Sequence, residues 1–102
     1  MNRVRERKLT REDAEAVAVQ ALAFVAGDPA LLSRFLAISG IEAPAIRKAA
    51  REPGFLAGVL DFVLAHEPTL MQCAEATGAD PAGLLAARRA LPAGDDHYDR
   101  ST

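Results

Sequence analysis

His66, Glu67 and Cys73 stand close together in "HEPTLMQC" and are the residues of this 102-residue chain best suited to chemistry. A Cys–His pair can serve as nucleophile and base, or ligate a metal. The surrounding pattern argues against both. His66 reads as the end of one helix and Cys73 as the middle of the next. There is no second Cys, and the other His, His97, lies far along the chain. A histidine complementing a helix dipole and an inert buried thiol account for the pair more simply. No Gly-rich phosphate loop, G-x-S-x-G or H-E-x-x-H is present. Ser33 and Ser39 have no His nearby in sequence. The expectation is a protein that is not an enzyme, with no catalytic residue, no cofactor and no metal.

Asp61 is the most informative polar residue. It interrupts the apolar run "GFLAGVLDFVLAH". At 100° per residue, Gly54, Ala57, Gly58, Asp61 and Ala65 share one narrow sector of a helix, and large apolar residues fill the rest. One reading is a solvent-facing strip, or an aspartate bonded to a neighbouring N–H or Arg. The other is a groove of small residues that a partner helix approaches closely, with the carboxylate setting register. On that second reading these five residues are the candidate partner-binding surface.

The basic residues raise a third chemistry, phosphate contact. "AISGIEAPAIRKAAR" has the shape of a helix-turn-helix. Recognition helices read bases from their first turn, which here offers Ala43, Pro44, Ala45 and Ile46 after a repelling Glu42. Arg47, Lys48 and Arg51 come late, where they complement the negative end of a helix dipole, as Arg88 and Arg89 do further on. The tail "MNRVRERK" adds Arg3, Arg5, Arg7 and Lys8, a basic arm without aromatic residues for base stacking. These seven residues are candidate phosphate contacts under the alternative reading, nonspecific nucleic-acid binding.

The elements that position these residues are marked by an acid–Pro signal. Asp28-Pro29, Glu52-Pro53, Glu67-Pro68 and Asp80-Pro81 each place a carboxylate before a proline. A carboxylate can accept from the free N–H groups of a helix start, and Pro at the first helical position gives up a donor without a partner. Thr10 with Asp13 is a capping-box variant, and Glu42-Ala43-Pro44 is a blurred acid–Pro signal. Six helices follow, at about 10–26, 29–39, 43–51, 53–66, 68–77 and 81–91, with Gly27, Gly40 and Gly78 in the places of left-handed caps. Val17, Ala21, Leu22, Phe24 and Val25 form the apolar face of the first helix. Leu31, Leu32, Phe35, Leu36 and Ile38 form that of the second, with Ser33 and Arg34 outside it. No period-2 alternation suggests a strand.

Half of the residues are hydrophobic and a quarter charged, enough for one modest core. The net charge of −2 gives no global field toward nucleic acid or anionic lipid. A single Cys fits a reducing compartment. The basic N-terminus has no apolar stretch behind it and does not read as a secretory signal. No apolar run is long enough for a membrane span. The expected location is the cytoplasm. Residues 1–8 read as a basic flexible tail, 9–92 as the helical domain and 93–102 as an acidic flexible tail.

"LTREDAEAVAVQALAFVAGDPALLSRFLAISGI", "EPGFLAGVLDFVLAHEPTLMQCAEATG" and "DPAGLLAARRALP" together resemble a family of short uncharacterised proteins from alpha-proteobacteria, a domain of unknown function. The resemblance spans about residues 9 to 92. It implies a compact all-helical fold in a cytoplasmic bacterial protein and hints at a signalling role; it implies no site residues. The Glu42-Ala43-Pro44 start departs from the acid–Pro of its relatives. The expectation is an all-α, single-domain bundle of five or six short helices around a central apolar helix at about 53–66. Its expected role is a non-enzymatic interaction module or adaptor with an unknown protein partner.

Overall fold

The computed structural model describes residues 9–92; the tails at 1–8 and 93–102 lie outside the described residues. The described chain is helical throughout, without a strand. Its elements are α1 (Arg11–Ala26), α2 (Pro29–Ser39), a 3-10 turn (Ala43–Ala45) running into α3 (Ile46–Ala49), α4 (Phe55–Leu64), α5 (Glu67–Thr77) and α6 (Pro81–Ala90). The all-α bundle expected from the sequence is the fold found.

Three starts follow the capping logic. Thr10 accepts from the Asp13 N–H at 3.0 Å while its own N–H donates to the Asp13 carboxylate, a closed capping box. Asp28 accepts from the N–H groups of Ala30 and Leu31. Asp80 accepts from Gly83 at 2.7 Å. The two Glu–Pro signals do not cap. α5 begins at Glu67 itself with His66 as its N-cap residue, and no side chain accepts from its first N–H groups. α4 begins at Phe55, two residues later than the sequence suggested, and its N-cap is Gly54. Glutamate is one methylene longer than aspartate and is not among the favoured N-caps.

The third helix is also shorter than the expected 43–51. Glu42 is the N-cap residue of the 3-10 turn but its side chain makes no capping bond, and only four α-helical residues form after that turn. Glu52 precedes Pro53, where the helical conformation is disfavoured. The chain instead turns through residues 50–54, with Glu52 N–H donating to Ala49 O and Phe55 N–H to Glu52 O. Gly54 closes this turn at φ 90°, a left-handed conformation that a side chain would strain. Arg51 therefore sits in the turn, not on the helix. Gly40 and Gly78 are left-handed as expected, whereas Gly27 is at φ −81°.

α1 and α4 share the centre. Each packs against the other and against α2, α5 and α6. α4 buries Phe55, Ala57, Val59, Leu60, Phe62 and Val63, as its nearly all-round apolar sequence implied. On α1 the fully buried line is Ala14, Ala18, Ala21 and Val25. Val17, Leu22 and Phe24, expected on the inner face, are only partly buried beside it. Alanine at these fully buried positions lets helix backbones approach closely. No single helix among the described residues is long and apolar enough to cross a membrane.

The difference between the acid–Pro signals is measurable. Asp28→Ala should lower unfolding free energy by about 1 kcal/mol, because two N–H groups lose their acceptor. Glu52→Ala should stay within about 0.5 kcal/mol of the parent. Urea melts of the two variants check both.

Candidate functional site

α1 and α2 meet at 112° across Gly27 and Asp28. That bend swings α2 over one flank of α4 without closing onto it, and a groove of about 590 Å³ opens between the two helices. Three phenylalanines line it. Phe35 of α2 meets Phe55 edge-on at 5.9 Å between ring centres and Phe62 at 5.5 Å. Edge-to-face contacts of this kind are favourable for the ring quadrupole and hold the rings in place. All three are buried, so they form the floor rather than loose flaps.

The strip along α4 and its two cap residues supplies the open side. Gly54, Gly58, Asp61 and Ala65 all line the groove, in the narrow sector read from the sequence. A Cβ added at Gly58 would meet nothing within 4 Å. Ala57, grouped with them at the sequence level, is not part of the groove: it is 3% exposed and lies in the core. It sits at the edge of the sector, about 60° from Gly54 and 100° from Gly58, which turns it toward the bundle.

Asp61 is paired. Its Oδ1 accepts from Arg88 Nε of α6 at 2.7 Å, while its side chain remains largely exposed. Arg88 Nη1 also lies 3.5 Å from the Leu91 carbonyl oxygen. Arg88 thus ties α4 to the end of α6 as well as complementing that helix terminus. The first sequence reading of the stripe is the one found: the aspartate is bonded to an arginine, and the strip around it faces solvent.

The other wall carries residues that the sequence reading passed over. Ile38, assigned there to the inner stripe of α2, is 71% exposed on the groove wall. Arg34, assigned to the outer face, lines the same groove and holds its guanidinium 5.7 Å from the centre of the Phe62 ring. The available signal was the i, i+4 spacing of Arg34 and Ile38, which puts them on one face beside Phe35.

The remaining candidates are dispersed. His66 is exposed at the start of α5, not at the end of α4, and its Nδ1 is 2.8 Å from the hydroxyl of buried Thr69. Cys73 is wholly buried two turns further on, about 10 Å along the axis by helical rise, too far to pair with His66. Burial pushes its thiol above the ordinary range, and a hydrogen bond with Thr77 pulls the other way without cancelling that rise. Arg47 and Lys48 are exposed on α3, and Arg51 is exposed in the turn that follows. Arg3, Arg5, Arg7 and Lys8 lie outside the described residues. No group of three potential metal ligands occurs among the described residues.

A family model described as "Protein of unknown function (DUF3572)" matches residues 11–94, and the chain belongs to that family. No curated protein and no solved structure matches it.

The buried thiol gives a direct check on the packing of α5. Native Cys73 should react with a small thiol reagent on the order of 100-fold more slowly than in denaturant, since both burial and the scarcity of thiolate oppose attack. Rapid labelling of the native protein would place this thiol at the surface instead.

Proposed function

We propose that this chain is a small interaction module of the bacterial cytoplasm, and that the groove between α2 and α4 is where a partner helix docks. One observation carries the reading. An open apolar trough floored by Phe35 packed edge-on against Phe55 and Phe62 lies beside an exposed isoleucine, in a protein whose other large apolar side chains are mostly covered among the described residues. Exposed apolar surface of this kind costs solubility and marks interaction sites when it is contiguous. The walls are helices of 11 and 10 residues, about 15 Å long, which suits roughly three turns of an amphipathic helix. A contact of that length is smaller than a standard interface of about 1,600 Å², so the association is transient. Its assignment to signalling rests on the family resemblance alone.

Gly58 provides the test. Gly58→Ala has open space for its Cβ and should raise stability by about 0.5–1 kcal/mol through helix propensity. Gly58→Leu should keep the helical spectrum and cooperative melt while filling the trough. In affinity capture from native cells, a partner should be retained by the wild type after nuclease treatment and lost with Gly58→Leu. A partner held equally by both forms excludes this groove. Co-purified nucleic acid, with protein partners lost on nuclease treatment, favours the basic-arm alternative.

A further inference from the structure

The groove has a charge asymmetry that bears on the chemistry of its occupant. Three titratable or charged side chains line it: Arg34, Asp61 and His66. Asp61 is neutralised by Arg88 at 2.7 Å. His66 turns Nδ1 toward the Thr69 hydroxyl and carries no negative charge. Arg34 has no carboxylate partner among the described residues. Its contact with the Phe62 ring holds the guanidinium at the groove wall and uses none of its five N–H donors.

A fixed cation with free donors, set against an apolar floor, is complementary to an apolar ridge that carries a carboxylate. We infer that the groove selects an amphipathic helix whose apolar anchors are flanked at one end by Asp or Glu, with Arg34 as the selecting residue. The inference rests on the groove being the docking site. The protein's overall charge of −2 opposes an acidic partner at long range. Arg34 prevails at contact because charges beyond about 8 Å are largely screened at physiological ionic strength. A single rim pair of this kind adds little affinity, but exchanging attraction for repulsion separates acidic from basic ligands by about tenfold. Arg34 therefore contributes to choice of partner more than to strength of binding.

The experiment uses a display library of 12-residue helix-forming peptides. Apolar residues are fixed at i, i+3, i+4 and i+7, and the flanking positions are open to Glu, Lys and Gln. Selection is run against the full chain, Arg34→Glu and Gly58→Leu, with circular dichroism confirming that each is folded. The wild type should enrich Glu at one end of the ridge, and an enriched peptide should bind about tenfold more tightly than its Glu→Lys counterpart, with the ratio shrinking as salt rises. Arg34→Glu should reverse the preference, and Gly58→Leu should enrich nothing. Enrichment without an acidic bias, or with a bias that Arg34→Glu leaves unchanged, overturns the role of Arg34 and leaves the groove standing. Equal enrichment on Gly58→Leu, or none on the wild type, overturns the groove itself and the inference with it.

Discussion

Close packing through alanine shapes the whole bundle. Ala14, Ala18 and Ala21 of α1, Ala57 of α4 and Ala87 of α6 are each 3% exposed or less, and these three helices all pack on one another. A methyl group at a crossing permits axial separations at the low end of the usual 8–10 Å. It also leaves no room for a ring. Phe35, Phe55 and Phe62 therefore gather on the flank where α2 stands off from α4. The groove is a consequence of that division: a tight centre of alanine, valine and leucine, and a bulkier aromatic cluster at an edge that one short helix does not close.

Much of this was legible in the chain. Aspartate at 28 and 80 and threonine at 10 mark their helix starts because a short side chain reaches back to the first free N–H groups. Glu67-Pro68 also opens a helix, but without a capping bond, and Glu52-Pro53 lies in a turn two residues ahead of one; the difference from aspartate was already present in the residue type. Helical periodicity likewise placed Gly54, Gly58, Asp61 and Ala65 on one strip. It could not assign Ala57, which lies at the strip's edge and is taken by the core.

What the sequence could not supply was the relation between distant elements. Asp61 and Arg88 are 27 residues apart, and no local pattern announces their bond. Ile38 fits the apolar stripe of α2 by its spacing from Leu31 and Phe35, yet it is 71% exposed on the groove wall, and its i, i+4 relation to Arg34 was the one local sign of that. Arg34 appeared to be an ordinary solvent-facing cation. Its position against Phe62 depends on how α2 lies against α4. The residues that give the groove its character are therefore those whose surroundings are set by tertiary geometry, not by helical period.

Gly58 separates what folding requires from what it does not. Its backbone is not left-handed, and no neighbouring atom would obstruct a side chain there. A glycine inside a helix is less favourable than alanine by about 0.5–1 kcal/mol. That is an appreciable fraction of the 5–15 kcal/mol that separates a small native domain from its unfolded chain. Neither turn geometry nor packing offsets the loss. The structural effect of the missing side chain is depth: it leaves the trough open above the phenylalanine floor, between the Arg34 wall and the neutralised Asp61. Ile38 extends the loss, since its apolar surface faces solvent beside the same trough. Helix propensity and burial both favour closing this region, and two residues on different helices oppose that closure at one place.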